Sequence, residues 1–487
     1  MFKLSFSSPI PWGEAEMKII RSGVAGLDDV ISIRKGSLIT VAGSPGVGKT
    51  TFAAQFIYRG LVNGENGVYV SFAESKESFF SNMLSLGLDF ARFEEGKKFK
   101  YLDLLTVRGG GVSAIMEEIL RAIDSFRAKR LVIDSFTAIS EALRERIDAR
   151  MILHNLLSRI INRMGCTTLL IVETPIGSRQ IGLGLEEFVS DTLIVMSREQ
   201  LNGRVVRKIE IVKTRGAPIR NAVYLFTMKN GIEVLSPFTG YQGKLKPFKP
   251  IPDSPSHFST GRKYIDEMMG GGIPRGSVVL YEKEENVSDQ AALLLSSRFI
   301  KNWLNLGKGI LFLPSPTMPT KKLKEWLKNV LDVSDRVLYS QFRIMLRRDE
   351  ASRYLKERNV VVFDGIDPKQ DIEVQLKTLN ELRKETGKPV CIRLPIDFVH
   401  SFYKDKLEEW LNTMIAEVAE GGDLLVICTY THSPIIHYLS SIASTHIKLI
   451  NVQGNVLFYC EKPWSTFYHL SVEQDREGVD YKLTPML

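Results

Sequence analysis

Two stretches far apart in this 487-residue chain begin alike. Residues 22–50 read SGVAGLDDVISIRKGSLITVAGSPGVGKT, and residues 260–290 read TGRKYIDEMMGGGIPRGSVVLYEKEENVSDQ. Gly23 and Leu27 meet Gly261 and Ile265; Gly36 and Ser37 meet Gly276 and Ser277. Farther on, KRLVIDS (129–135) is answered by RNVVVFDG (358–365), which puts Asp364 opposite Asp134. GCTTLLIVETP (165–175) is answered by GGDLLVICTYT (421–431). A repeat this long is a duplicated domain rather than a solenoid unit, and the length itself calls for at least two cores. Each copy alternates β-branched runs with helical stretches such as SAIMEEILRAIDSF and DKLEEWLNTMIAEVAE. That alternation predicts an α/β fold, with parallel strands joined by crossover helices.

Between the copies lies SPFTGYQGKLKPFKPIPDSPSH, residues 236–257. Prolines at 237, 247, 250, 252 and 255 forbid a helix or a central strand there. The stretch reads as an extended, semi-rigid linker. The expected division is a first domain at 1–238, a linker at 239–256 and a second domain at 257–487.

Composition excludes several classes. The chain is 44% apolar and 25% charged, as globular domains are. No apolar run approaches the roughly 20 residues that span a membrane, and the N-terminus has no secretory h-region. Cys166, Cys391, Cys428 and Cys460 are scattered, so buried thiols in a reducing cytoplasm are expected rather than a metal site. The formal charge of +8 is mild for this length and better suits a solvated surface than a nucleic-acid face.

Chemistry concentrates in the first copy. GSPGVGKT (43–50) follows a strand-like run and precedes a helix-like one, the context a phosphate-binding loop requires. Ser44, Pro45, Gly46, Val47 and Gly48 would wrap phosphates with backbone N–H groups, and the helix opening at Lys49, Thr50 and Thr51 adds its dipole. Lys49 would reach the β- and γ-phosphates of ATP, and the Thr50 hydroxyl would ligate Mg²⁺. Asp134, at the tip of the apolar run RLVID, is the expected metal anchor. Glu74 follows the run GVYVS; the pattern leaves it open between a water-orienting carboxylate and a helix-capping glutamate. Lys213 and Arg215 alternate at the end of IEIVKTRG, which would put both on one face. They suit either a phosphate arriving from outside the domain or a solvated strand edge.

The ordered set SGVAGLDD, GSPGVGKTTFAAQFIY, GVYVSFAES, RLVIDSFTAI, LEEFVSDTLIVM and RKIEIVKTRGAP resembles the KaiC-like branch of the RecA/RadA superfamily, in its archaeal form, over about residues 20–238. The resemblance implies two tandem RecA-like P-loop NTPase domains, each a mostly parallel twisted sheet flanked by helices. It implies hexameric rings with ATP between subunits. It gives Lys213 and Arg215 the role of a finger that reaches the neighbouring subunit's γ-phosphate. It makes Glu173, at the end of LLIVE, a γ-phosphate sensor. KaiC-like domains usually carry two glutamates after GVYVS and use the first as base; here the pair is Ala73 and Glu74, as in RecA itself, so slow turnover is expected. In RecA relatives the loop after Glu173 contacts DNA. Arg179 and Gln180 there, and Arg144, Arg146 and Arg150 on another segment, are candidate nucleic-acid contacts against a charged-surface alternative.

In the second copy Gly48, Lys49 and Thr50 are answered by Ser288, Asp289 and Gln290. EKPW (461–464) stands loosely where KTRG should lie. Reversing the charge at Lys49 turns an attraction of about 4 kcal/mol for phosphate into repulsion. A degenerate domain without bound ATP is expected. The reading as a whole is an ATP-binding, slow ATPase that works as a homo-oligomer in the cytoplasm, with a regulatory output to a protein partner. A DNA-binding ATPase and a non-hydrolysing scaffold are the alternatives.

Overall fold

The computed structural model describes residues 19–104, 111–137, 165–175, 190–216, 218–219 and 221–487. The chain forms two compact units, residues 1–236 with 486–487, and residues 237–485. In the first unit, β1 (Leu38–Gly43), α1 (Lys49–Val62), β2 (Gly67–Ser71), α2 (Lys76–Ser85), β3 (Phe99–Asp103), α3 (Gly111–Phe126), β4 (Arg130–Asp134) and β5 (Thr167–Glu173) are followed by β6 (Thr192–Leu201), β7 (Arg204–Thr214), β8 (Val223–Thr227) and β9 (Glu233–Leu235). They order as β9-β8-β7-β6-β1-β5-β4-β2-β3. The six strands from β6 to β3 run parallel, and β7 to β9 return antiparallel. β1, β2 and β4 are buried at every residue, as strands covered on both faces must be. Phe52, Phe56 and Ile57 of α1 seal one face; Ile119 and Ile123 of α3 seal the other.

The second unit repeats this plan. Its sheet strands are β10 (Ser277–Lys283), β11 (Gly309–Phe312), β12 (Phe342–Arg347), β13 (Val360–Phe363), β14 (Val390–Pro395), β15 (Leu424–Tyr430), β16 (Thr445–Val452), β17 (Asn455–Lys462), β18 (Tyr468–Asp475) and β19 (Gly478–Pro485). Helix α4 (Asp289–Asn305) follows β10, α5 (Thr320–Asn329) follows β11 and α6 (Ile396–Tyr403) follows β14. The order β13-β12-β11-β14-β15-β10-β16-β17-β18-β19 reproduces the first sheet with one strand, β13, added at an edge.

The repeat reaches fine detail. The Ser37 and Ser277 hydroxyls each donate 2.6 Å to the carbonyl three residues back, which explains the shared G-S step. Asp28 accepts from the Ser22 N–H at 2.8 Å, and Asp266 from the Thr260 N–H at 2.7 Å. Gly23 and Gly261 both have positive φ, and a Cβ on either would strike a helix carbonyl, at Gln55 or Arg298. β6 and β7 turn through Asn202-Gly203, and β16 and β17 through Gln453-Gly454, all four in the left-handed region that two-residue hairpins favour. Both hairpins shift register at the same step, between Leu193 and Ile194 and between His446 and Ile447.

Register corrects two expected pairings. Gly67 of β2 pairs with Arg130 of β4, and Gly309 of β11 pairs with Val390 of β14. Counting along both strands puts Leu394, not Asp364, at the position of Asp134. Asp364 follows the added strand β13 and is ion-paired with Arg348. RNVVVFDG mimics RLVID because any apolar run ending at a loop favours a polar residue. Lys213 pairs with Leu193 and Lys462 with His446, so KPWS, rather than EKPW, answers KTRG. The lysine is retained, and Trp464 stands for Arg215.

The proline-rich stretch lies along the second unit. Leu245 is buried in its core. Phe248 lies beneath the Arg298 guanidinium. The fully buried Asn302 accepts from the Ile251 N–H at 2.8 Å and donates to its carbonyl at 3.0 Å. Asn302→Ala leaves both backbone groups without partners. It is expected to cost the second unit about 1–3 kcal/mol, read as a lower urea midpoint.

Candidate functional site

The site is built where β1 ends and α1 begins. Gly48 precedes α1 with φ near 106° and offers no side-chain cap. The first-turn N–H groups of α1 therefore point from an uncapped helix end. A Cβ at Gly48 would meet only the flexible tip of the Met228 side chain, at 2.9 Å, so it is the positive φ that requires glycine. Pro45 and Gly46 are exposed, whereas the buried Val47 pins the loop. Lys49 is buried and donates from Nζ to the Ser44 carbonyl at 2.9 Å, across the mouth of the loop. Burial lowers its pKa, and Glu173 and Asp134 oppose that fall.

Asp134 ends β4 beneath the loop. Its Oδ2 accepts from Thr50 Oγ1 at 2.8 Å and from the Tyr69 hydroxyl at 2.8 Å. Burial raises its pKa, offset by those two hydrogen bonds and by Lys49. Thr51 is also buried. Glu173 stands beside Gly43 in the β1–β5 register, and its N–H donates to Thr137 Oγ1 at 2.8 Å. The structure thus brings together Ser44, Lys49, Thr50, Asp134 and Glu173, the residue types that hold a nucleotide triphosphate and a hard divalent cation. The open helix end presents first-turn N–H groups of the kind that attract anions, and Thr50 and Asp134 place two oxygens side by side beneath it.

Glu74 sits at the margin. Its Oε1 accepts from Ser78 Oγ at 2.7 Å and from Asn82 Nδ2 at 2.6 Å, both on α2. The Tyr101 hydroxyl donates 2.9 Å to its carbonyl. Lys213 and Arg215 lie elsewhere. Thr214 closes β7 opposite Thr192, and Arg215, past the strand end, contacts Asp191 at 3.4 Å. Asp191 in turn accepts from the Leu38 N–H at 2.9 Å. Leu38 starts β1 and Gly43 ends it, so Arg215 is roughly 16 Å along the strand from the loop of its own unit. Arg144, Arg146, Arg150, Arg179 and Gln180 lie outside the described residues.

Tyr69 and Tyr101 were not foreseen as site residues. Their rings stack with centroids 5.5 Å apart, and Tyr69 is fully buried. The available signal was a tyrosine inside an otherwise apolar strand, whose hydroxyl must find a partner when buried. Burial first, then Asp134, raises the Tyr69 pKa well above its usual value, so its O–H remains a donor.

The second unit closes the equivalent end. Ser288 caps α4 by accepting from the Ala291 N–H. Lys283 Nζ donates to Asp289 at 2.7 Å. Glu284 accepts from the Asn451 N–H at 2.8 Å, and Glu285 meets His432 at 3.0 Å. Side chains of this chain occupy what the first unit leaves open.

Because burial raises the Asp134 pKa, the cost to folding is absent below the ordinary aspartate pKa, grows as pH rises from there to the raised pKa, and is complete above it. Asp134→Asn should therefore stabilise the nucleotide-free protein at pH 7, raising its unfolding temperature. Thermal unfolding should show that advantage shrinking as pH falls below the raised Asp134 pKa and gone below the ordinary aspartate value. The same variant should lose Mg²⁺-dependent nucleotide binding.

Residues 20–238 match the family model described as ATPase: KaiC, and residues 247–487 match GvpD basic region 2. The circadian clock oscillator protein KaiC of Thermostichus vulcanus is 30% identical over 316 residues, 62% of this chain and 58% of that protein. KaiC of Synechococcus elongatus is 32% identical over 314 residues, 60% and 57% of the two chains. This chain thus spans less than two thirds of the length of these relatives. A crystallised KaiC-like protein from Pyrococcus horikoshii OT3 is 34% identical, over 45% of this chain and 100% of that one, with a TM-score of 0.41. Residues 20–238, which hold the phosphate loop and its partners, thus belong to the KaiC-like branch of the RecA superfamily.

Proposed function

We propose that this protein is an ATP-binding, slowly hydrolysing ATPase that acts in the cytoplasm as a homo-oligomeric ring, a hexamer, with a regulatory output to a protein partner. ATP and Mg²⁺ bind at residues 43–51 of the first unit, at subunit interfaces. The observation that carries this reading is the separation of two sets of groups. Lys49, Thr50 and Asp134 are clustered at one end of β1, while Arg215 is beside Asp191 at the other. An arginine side chain cannot span roughly 16 Å, so Lys213 and Arg215 can serve only the loop of a neighbouring copy.

In this reading the loop N–H groups and Lys49 bind the phosphates, and Thr50 and Asp134 hold the metal. Lys213 and Arg215 of a neighbour stabilise charge on the transferred phosphoryl group. Bound Mg²⁺ would neutralise charge on the β- and γ-phosphate oxygens. Glu74 orients water, and Glu173 senses the γ-phosphate. The second unit binds no ATP, because Ser288 caps its helix, Asp289 replaces the lysine and Leu394 replaces the metal anchor. All four cysteines are free thiols, which fits a reducing compartment. A non-hydrolysing scaffold is the second reading, favoured by the tie of the Glu74 carboxylate to Ser78 and Asn82.

Lys49→Ala should abolish ATP binding. Arg215→Ala should retain binding and lose about 10³-fold in turnover. Neither variant alone should hydrolyse ATP, but a mixture should recover activity where an intact loop meets an intact finger. A monomer by light scattering with and without Mg-ATP, or no recovery on mixing, would sink the shared site. Glu74→Gln should lower single-turnover hydrolysis about 10²-fold or more; an unchanged rate would favour the scaffold.

A further inference from the structure

The second unit contains a cavity of about 620 Å³, within the range of small-molecule sites. Lys283, Pro395 and Tyr430 line it, so it lies at the carboxyl ends of β10, β14 and β15. Open α/β sheets bind ligands at those ends, and the first unit carries its phosphate loop at the corresponding end. The walls are apolar: Leu293 of α4, Phe312 of β11, Met318, Trp326 of α5 and Phe398 of α6.

Four charged side chains reach the cavity, and three are satisfied within the protein. Asp289 is paired with Lys283 at 2.7 Å and with Lys322 at 3.6 Å. Asp397 Oδ2 accepts from Thr429 Oγ1 at 2.9 Å and from the Tyr430 N–H at 3.1 Å. The fourth is Arg393. It sits inside the sheet on β14, level with Phe312 of β11 and Val426 of β15. Strands in this position are normally apolar throughout. Among the described residues its guanidinium has one hydrogen bond, from Nη2 to Ser296 Oγ at 3.2 Å, and no carboxylate within 4 Å. A guanidinium offers five donors in a fork that matches a carboxylate; that of Arg393 is half-buried beside the Tyr281 ring and keeps most of its donors for a partner in the cavity.

We infer that the second unit binds an apolar monocarboxylate, its carboxylate held by Arg393 and its hydrocarbon body packed against Leu293, Phe312, Trp326 and Phe398. The domain that closed its phosphate site would thereby carry a second ligand input. The inference does not depend on ATP binding by the first unit.

Full-length protein is titrated calorimetrically with octanoate against octanol, and with 1-naphthylacetate against its amide. At least one carboxylate should bind about tenfold or more tightly than its neutral counterpart. Arg393→Met should erase that preference, and Ala292→Trp, which fills the cavity, should abolish binding of both forms. Cys428 lines the cavity and is the only one of the four thiols that is not buried. Its reaction with a maleimide should slow when the carboxylate is bound. If neither carboxylate is preferred, or if a bound carboxylate leaves Cys428 reactivity unchanged, the inference is overturned. Those two measurements use the unmodified chain, so they decide the matter even where a variant fails to fold.

Discussion

A helix that starts at the carboxyl end of a buried parallel strand presents N–H groups with no partner in the helix. Both halves of this chain carry such a helix, and their chemistry diverges on how that demand is met. In the first unit Gly48 supplies no cap, and the end of α1 stays open to an anion. In the second, Ser288 accepts from the Ala291 N–H, and Asp289 adds negative charge to the first turn. The same strand-to-helix step is left open in one unit and is closed by its own side chains in the other.

The groups around the open end depend on the sheet. Asp134 can meet Thr50 because β4 and β1 run parallel in one sheet with only β5 between them. Tyr69, on the neighbouring β2, completes that arrangement from within the aromatic cluster. A buried carboxylate held by two hydroxyls keeps its charge at some cost to folding stability. In the second unit Leu394 stands at the anchor position and Arg393 beside it. The loss of one site and the appearance of an apolar cavity therefore share the same strand, β14.

The two halves match different family models, KaiC ATPase and GvpD basic region 2, yet they repeat one topology. The agreement extends to the serine after the shared glycine, the aspartate that ties the entry turn and the shifted hairpin register. These features constrain backbone conformation, so they survive while surface and ligand-contacting side chains change. The retained Lys462 is an example: it sits past the same shift as Lys213, with Trp464 where the first unit has Arg215.

Local chemistry was legible in the residues alone. The phosphate loop shows in the sequence because its glycines, lysine and threonine are contiguous and their conformational demands are local. The α/β alternation shows because strand and helix have different apolar periods. The absence of a loop at Ser288 to Gln290 shows for the same reason as its presence at Gly48 to Thr50. What depends on distant residues did not show. The pairing of Asp364 with Asp134 failed because an apolar run ending in aspartate does not reveal which strand lies beside it. Tyr69 was missed because its partner is sixty-five residues away. The roughly 16 Å between Arg215 and its own loop, and the placing of the Arg393 guanidinium among the apolar walls of a cavity, emerge only once the strands are ordered. Backbone geometry is written in neighbours along the chain, whereas which charges meet is decided by the sheet.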